Sequence, residues 1–242
     1  MEIIFVLNRY ALQPRNLIMM QPFKSALAIF SLLCIVACQT STGNPPTTKK
    51  NAAKIMARKK EKTGYDGTLQ PDSSVFKKHV QSLKKFAAAN GYSTQYAMVI
   101  DLGLHSGAKR FFMVRLSDGK ALHAGLVTHG SSPSVLQPGE RAYSNVEGSL
   151  CSSLGRYKIG ISYQGTFGLA YKMHGLDTSN NHAFARAVVL HSHECVPDIE
   201  TEDAICQSWG CPTISPAFLQ TISSYIDKSS RPVLMEIYDS NK

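Results

Sequence analysis

Hydrophobic residues recur at helical spacing between Val75 and Ala87, which predicts an amphipathic helix. Asp72 and Ser73 can cap its start, and Gly91 is a stop signal at its end. The apolar positions are Val75, Phe76, Val80, Leu83, Phe86 and Ala87. We expect this face to pack on a folded domain.

From residue 96 onward the pattern changes to short apolar runs divided by turn residues, as is typical of strands. The runs are 96–102, 110–116, 121–127, 155–162, 186–191 and 232–238. Asp118 and Gly119 suit a two-residue hairpin turn between the second and third runs. The spacing predicts a mainly β fold, either a β-sandwich or a barrel.

A second helix is predicted after Cys211. Ser215 and Pro216 form an N-cap and N1 pair, and the helix should continue to about Ile226. Its apolar residues Phe218, Leu219, Ile222 and Tyr225 would face the core. We expect this helix to support the turn that contains Cys211.

Residues 1–38 have the pattern of a secretory signal peptide. Lys24 precedes an apolar run, 26–37, which is too short to span a bilayer comfortably. Residues 35–38 resemble a bacterial lipobox, in which Cys38 is lipidated and begins the mature protein. Arg9 and Arg15 lie in an unusually long leader, which favours a translation start at Met19 or Met20. An uncleaved hydrophobic anchor is the alternative.

Both interpretations place the domain outside the cytoplasm. Gln39 after the lipidated cysteine resembles lipoproteins of an outer membrane, so we expect a periplasmic protein anchored there through Cys38. Residues 39–70 are predicted to be a basic flexible tether, either a solvated linker or an adhesive segment for anionic lipid or wall polymer. Residues 71–242 would form the catalytic domain.

The composition, with 43% hydrophobic and 9% aromatic residues, is that of a chain with a packed core. The net charge of +9 is concentrated near the mature N-terminus and is not interleaved with aromatic residues. We therefore predict no nucleic-acid partner, and we expect a monomer.

Four cysteines remain if Cys34 leaves with the signal peptide and Cys38 is lipidated. Cys195 and Cys206 flank an acidic loop and are predicted to form a disulfide in an oxidising compartment. Pairing of Cys151 with either of them is an alternative. A zinc site that includes His191 and His193 is another, but the spacing matches no closed structural site, so we predict no metal.

The fourth cysteine, Cys211, lies in a turn formed by Ser208, Trp209 and Gly210 and followed by Pro212, which suits a nucleophilic thiolate. Twenty residues upstream, the run 186–191 ends in His191 and Ser192. A histidine at that strand terminus is a candidate general base. His193 is the second candidate, but only His191 ends the strand.

These residues, together with five further short motifs in the same order and spacing, resemble the murein L,D-transpeptidase subfamily over roughly residues 75–238. The five motifs are 127–130, 143–145, 152–155, 174–176 and 186–191. The resemblance implies an L,D-transpeptidase-like β-sandwich with a flanking N-terminal helix and a helix after the catalytic cysteine. It also implies that Cys211 is the nucleophile, that His191 is the general base and that Ser192 is the small residue after it.

The amides of Gly210 and Cys211, in the turn with Ser208 and Trp209, would stabilise the oxyanion. Arg186 and Asn181 are candidates for binding substrate carboxylates. Trp209 stands where many members have a histidine, and Pro212 and Thr213 where many have an aliphatic residue and an arginine. Trp209 is expected either to shape the donor groove or to pack beneath the turn.

The implied reaction is attack of Cys211 on the L,D peptide bond of a murein tetrapeptide stem, with release of D-Ala and a thioester intermediate. An acceptor amine makes the enzyme a transpeptidase, and water makes it an L,D-carboxypeptidase. The resemblance implies no metal or organic cofactor. A noncatalytic peptidoglycan-binding lipoprotein is the alternative from another class. Papain-like proteolysis is disfavoured because the histidine precedes the cysteine here.

Overall fold

The structure is a computed structural model that describes residues 73–133 and 141–242. The predicted signal peptide, Cys38 and the basic tether lie outside these residues. Within the two described ranges, neither helix has the length and apolar character needed to cross a bilayer.

The first helix, α1, extends over Ser74–Asn90 as predicted. The Ser73 side chain accepts a hydrogen bond from the Phe76 N–H at 3.0 Å, and Gly91 ends the helix with φ 74°. Its buried residues are Phe76, Val80, Leu83 and Ala87. The capping and the apolar stripe that were visible in the sequence therefore define both the ends and the inner face of α1.

Eight strands form one continuous sheet in the order β3-β2-β1-β8-β4-β5-β6-β7. They are β1 Tyr96–Asp101, β2 Phe111–Arg115, β3 Lys120–Gly125, β4 Gly155–Gly165, β5 Gly168–Gly175, β6 Val189–Ser192, β7 Thr213–Ile214 and β8 Leu234–Tyr238. The second helix, α2, covers Pro216–Asp227 and is capped by Ser215. The structure confirms the mainly β fold, with a helix before the sheet and a helix after Cys211. All eight strands are hydrogen-bonded side by side in a single sheet.

The two helices lie on opposite faces of the sheet. Side chains alternate along a strand, so Ala97 and Val99 of β1 pack with α1, whereas Met98 and Ile100 pack in the larger core with α2. That larger core also holds Tyr157, Met173 and Leu190 from the other half of the sheet. Helix α1 packs on β1 and β8. On the same side of the sheet, Ala170 of β5 is buried, whereas Lys172 and His174 of β5 and Val189 and His191 of β6 are only partly buried.

Three local predictions differ from the structure. Arg115 pairs with Lys120, so the predicted hairpin has a four-residue loop, 116–119, in place of a two-residue turn. The predicted strand 186–191 begins only at Val189, because Ala187 has a φ of 54°, outside the extended region. Strands β5 and β7 were not predicted.

Candidate active site

The turn that carries Cys211 is attached to the segment 128–131. Ser208 forms an isolated parallel bridge with Gly130. Its N–H donates to the His129 carbonyl at 2.9 Å, and its own carbonyl accepts from the Ser131 N–H at 2.8 Å. These two hydrogen bonds fix the entrance to the turn.

Strand β7 begins two residues after Cys211 and pairs in parallel with β6, where Thr213 is in register with His191. His191 therefore lies on one strand, and Cys211 lies in the turn that leads directly into the neighbouring strand. This pairing brings the predicted base and the predicted nucleophile to one edge of the sheet.

Hydrogen bonds inside the turn converge on the carbonyl of Cys211. It accepts from the Ser208 hydroxyl at 2.6 Å and from the Thr128 hydroxyl at 3.2 Å. Gly210 has a φ of 109°, and a Cβ at this position would lie 2.7 Å from the Cys151 carbonyl oxygen. Both the backbone conformation and the close approach require glycine here.

The two turn amides differ in availability. The Gly210 N–H donates to the Ser208 hydroxyl at 3.2 Å, so it is engaged within the turn. The Cys211 N–H has no acceptor in the part of the chain that the structure describes. Of the two amides that were predicted to stabilise the oxyanion, that of Cys211 is therefore the one without an acceptor among the described residues.

The Cys211 thiol lies against the backbone that leads into β6. Its Sγ accepts a hydrogen bond from the Val189 N–H at 3.4 Å and donates to the Ala187 carbonyl at 3.9 Å. Burial raises the pKa of Cys211, against the opposing effects of the Val189 N–H and the Arg186 charge. The surroundings therefore favour the neutral thiol.

His191 is held at both ring nitrogens. Its Nδ1 lies 3.1 Å from the Ser192 carbonyl oxygen, and because a carbonyl only accepts, Nδ1 carries the hydrogen. Its Nε2 lies 3.0 Å from the Thr213 hydroxyl oxygen. Burial lowers the pKa of His191, which favours the neutral imidazole, and the lone pair of its Nε2 meets the Thr213 hydroxyl.

His193 has different contacts. Its Nδ1 accepts a hydrogen bond from the Cys195 N–H at 3.1 Å, so the lone pair of this nitrogen is already used. The ring of Phe167 stacks on His191 at 5.3 Å and meets His193 edge-on at 5.2 Å. What distinguishes the two histidines is position, because His191 lies on β6 in register with Thr213, whereas His193 lies beyond the end of β6.

A family model for the L,D-transpeptidase catalytic domain matches residues 68–234 of this chain, a range that includes His191 and Cys211. The chain belongs to the L,D-transpeptidase catalytic-domain family. No curated protein sequence matches it.

Three solved structures were compared with the L,D-transpeptidase domain. The L,D-transpeptidase of Xylanimonas cellulosilytica is 14% identical, with 64% of this chain and 68% of that chain covered and a TM-score of 0.33. The helical cell shape determining protein Pgp2 of Campylobacter jejuni is 12% identical, with 68% and 57% covered and a TM-score of 0.39. Its K307A mutant is 10% identical, with 67% and 57% covered and a TM-score of 0.40. This chain thus matches little more than half the length of Pgp2.

Arg186 clamps a segment of this L,D-transpeptidase domain. One terminal nitrogen donates to the Ser144 carbonyl at 2.9 Å and to the Ser153 hydroxyl at 3.2 Å. The other donates to the Cys151 carbonyl at 2.8 Å and to the Ser149 hydroxyl at 3.3 Å. The prediction that Arg186 binds a substrate carboxylate is corrected, because its donors are used to hold 144–153 beside the nucleophile turn.

Two further predicted site residues, Asn181 and Trp209, are exposed. Asn181 is exposed, and its Oδ1 accepts from the Asn145 side chain at 2.7 Å, in contact with neither His191 nor Cys211. Trp209 is 81% exposed, which removes the alternative that it packs beneath the turn. The indole therefore stands in solvent two residues before the nucleophile.

Cys195 and Cys206 form a disulfide, and Cys151 is a buried free cysteine. Both disulfide sulfurs are bonded to each other, so neither can serve as a thiolate ligand of zinc. Within residues 73–133 and 141–242, no group of three candidate metal ligands is found.

Sequence reasoning missed four contacts of the site. Thr213 was noted only as a departure from the common family pattern, although its hydroxyl bonds the base. Thr128 lies in one of the five motifs of the family resemblance, and Phe167 lies in the turn between Gly165 and Gly168. No sequence signal identifies the Val189 amide, because a backbone group becomes part of a site only through the fold.

Proposed function

We propose that this protein is a cysteine-dependent murein L,D-transpeptidase that acts on tetrapeptide stems. The observation that carries the proposal is the parallel pairing of β6 with β7, which sets His191 beside the turn of Cys211 with an unengaged Cys211 amide. A base, a thiol and a backbone donor are the groups that acyl transfer through a thioester requires.

In the first step the Cys211 sulfur bonds to the carbonyl carbon of the L,D peptide bond while the thiol proton passes to Nε2 of His191. The carbonyl oxygen becomes an oxyanion that accepts from the Cys211 N–H. Collapse breaks the C–N bond, and the His191 imidazolium returns the proton to the departing D-Ala amine. A thioester on Cys211 remains.

In the second step an acceptor amine attacks the thioester and gives a proton to His191. The C–S bond then breaks, and the sulfur leaves as a thiolate that the imidazolium reprotonates. The new amide joins two stems. Water in place of the amine would make the same residues a carboxypeptidase.

The resting site supports a neutral pair at the start of this sequence. The pKa of His191 is lowered and that of Cys211 is raised, both chiefly by burial. A buried thiolate with a buried imidazolium would pay a desolvation cost at each group. We infer that the thiol loses its proton as it attacks, without a preformed ion pair.

The test uses purified protein and a disaccharide tetrapeptide, with mass spectrometry of the protein and of released D-Ala. Wild type should form a thioester on Cys211, release D-Ala and yield cross-linked stems. Cys211→Ala should give none of these three products, whereas Cys151→Ala, which removes the other free cysteine of the described residues, should give all three.

Each outcome separates the candidate functions. D-Ala release without cross-links identifies the carboxypeptidase. Binding of the stem without a thioester identifies the noncatalytic wall-binding protein. Turnover that survives in Cys211→Ala refutes the assignment of the nucleophile.

We also propose that the enzyme acts in the periplasm while it is anchored to the outer membrane through a lipid on Cys38. The proposal is supported by the lipobox-like residues 35–38 and by the basic tether that follows them. Metabolic labelling with a radioactive fatty acid should modify wild type and not Cys38→Ala. An unlabelled wild-type protein would contradict it.

A further inference from the structure

One face of the sheet beside the nucleophile carries two lysines, Lys158 and Lys172, which are both partly exposed. On β5 and β6, Lys172 is in register with Val189, and Ala170 with His191. On β4 and β5, Lys158 is in register with His174. Residues paired across strands point to the same side, so both lysines share the face of His191.

The opposite side of the same strands confirms this assignment of faces. Tyr157 and Ile159 of β4, Met173 of β5 and Leu190 of β6 are buried in the core that α2 covers. The alternating residues, Lys158, Lys172, Val189 and His191, are only half-buried. Helix α1 lies on this second face but packs on β1 and β8.

Two small residues lie next to Lys172 on this face. Gly160 belongs to the neighbouring strand β4, and Ala170 is two residues away along β5. A Cβ on Gly160 would come within 2.9 Å of the His174 side chain and 3.4 Å of the Lys172 Cβ, so both side chains already pack against this backbone. A larger residue at 160 would therefore displace them.

Aromatic rings contact Lys172, His174 and His191 on this face. The Lys172 ammonium lies 4.2 Å from the ring centroid of Tyr163, which holds the charge by a cation–π contact. Phe184 stacks on His174 at 4.6 Å, and Phe167 stacks on His191 at 5.3 Å. Phe184 and Phe167 are both more than half exposed, so each has a ring face open to a ligand.

The two lysines lack acidic partners on this face. Among the described residues neither Lys158 nor Lys172 forms an ion pair, since Asp177 is paired with Arg156 and Glu236 with His79. The positive charge of the face is therefore left for a ligand to neutralise.

We propose that Lys172 and Lys158 bind carboxylate groups of an acidic donor peptide that crosses β4, β5 and β6 toward Cys211. Lys172 sits in register with Val189, whose N–H contacts the Cys211 sulfur, so a carboxylate on Lys172 fixes which bond of the peptide reaches the thiol. The inference rests on the proposed function and names the recognition of its donor. Murein stems are peptides with free carboxylates, which matches this charge.

The experiment measures peptide binding in the Cys211→Ala protein by calorimetry, so that no reaction interferes. Two ligands are compared: the tetrapeptide stem with free carboxylates and the same stem with its side carboxylates amidated. Lys172→Gln and Lys158→Gln are added separately. Lys120→Gln, which removes one exposed lysine from β3 on the far part of the sheet, is the matched control for net charge.

We expect Lys172→Gln and Lys158→Gln each to weaken binding of the free stem about tenfold, the usual effect of losing a charge-assisted hydrogen bond. Lys120→Gln should bind like the parent, and all four proteins should bind the amidated stem equally. Equal affinity of the lysine variants and Lys120→Gln for the free stem overturns the proposal, as does failure of the parent to bind it. Thermal unfolding of each variant verifies folding.

Thioester formation by proteins that keep Cys211 separates this inference from the proposed reaction. If wild type forms no thioester but the lysine variants lose affinity, the proposed carboxylate binding is supported and the proposed reaction is contradicted. If Lys172→Gln and Lys158→Gln form the thioester with wild-type kcat and KM, the proposed reaction is supported and the carboxylate binding is contradicted.

Discussion

The Nε2 atom of His191 lies 3.0 Å from the hydroxyl oxygen of Thr213, directly across the β6–β7 pair. A hydroxyl can donate to the lone pair of a neutral imidazole and can accept from the N–H of an imidazolium. Thr213 can therefore remain bonded to the base before and after proton transfer. With the Ser192 carbonyl on Nδ1, it fixes the plane and the tautomer of the ring.

Thr213→Val retains the shape of this side chain and removes its hydroxyl, so the ring of His191 should lose one of its two anchors. We expect kcat for D-Ala release to fall about 10- to 100-fold with KM little changed, as for loss of a group that positions a general base. Thr213→Ser restores the hydroxyl and should recover most of the rate. A Thr213→Val enzyme with wild-type kcat would contradict this role.

The neutral resting pair predicts the pH dependence of Cys211 alkylation. Because the pKa of Cys211 is raised, its reaction with iodoacetamide should increase with pH beyond about 8.5, the ordinary thiol value, without a plateau near neutrality. Peptide mass spectrometry distinguishes Cys211 from Cys151. His191→Gln should leave this profile unchanged, whereas a preformed ion pair would produce a neutral plateau that the variant loses.

The same shifts set the acid limb of turnover. A protonated His191 cannot accept the thiol proton, so kcat/KM should fall as the pH drops through the pKa of this histidine. Since burial lowers that pKa, the limb should lie below about 6.5, the ordinary value for histidine. An acid limb above pH 6.5 that persists in every histidine variant would show that another group causes the fall in kcat/KM.

Arg186→Gln should damage both stability and reactivity, because the guanidinium joins 144–153 to the nucleophile turn. Loss of several charge-assisted hydrogen bonds should lower the free energy of unfolding by about 2–4 kcal/mol. Since the Arg186 charge lowers the pKa of Cys211, the variant should also shift alkylation of Cys211 to higher pH.

Two variants control for this result. Ser149→Ala removes one hydroxyl acceptor and keeps the guanidinium, so it should alter neither quantity by much. Arg186→Lys should not restore stability, because a single ammonium cannot span the four acceptors. Urea denaturation provides the free energies, and full rescue by lysine would show that charge alone suffices.

The Cys195–Cys206 disulfide closes a loop whose ends are 11 residues apart, between the strand of the base and the turn of the nucleophile. Replacing both cysteines by alanine should lower the free energy of unfolding by about 3 kcal/mol. Thioester formation should persist below the melting temperature, because β6–β7 pairing and the Gly130–Ser208 bridge hold the turn independently. A folded double variant without thioester formation would show that the loop aligns the site.

The parts of the fold that sequence reasoning predicted are those with local signals. The Ser73 and Gly91 caps, the Ser215–Pro216 pair and the hairpin around Gly119 each act within a few residues. Strand β7, by contrast, has two residues and exists only through its pairing with β6. Strand β5 carries Lys172 and His174 on its open face, so its sequence lacks the apolar run that marked the other strands.

The residues of the candidate site also fall into those that the sequence predicted and those that only the fold brings together. The family motif identified Cys211 and His191, because residue type and spacing are preserved in the chain. The position of Arg186 suggested the start of a strand, but Ala187 adopts a left-handed conformation that turns the preceding guanidinium toward 144–153. Such contacts depend on tertiary geometry that one sequence does not encode locally.

Strand β8 occupies the middle of the sheet, between β1 in parallel and β4 in antiparallel pairing. The half that holds β1, β2 and β3 can therefore join the half that holds the site only after residues 234–238 have left the ribosome and crossed any membrane that the chain must cross. A chain still being synthesised or exported would keep Cys211 without its finished scaffold. The scaffold around the reactive thiol would thus be finished only when β8 has paired with both of its neighbours.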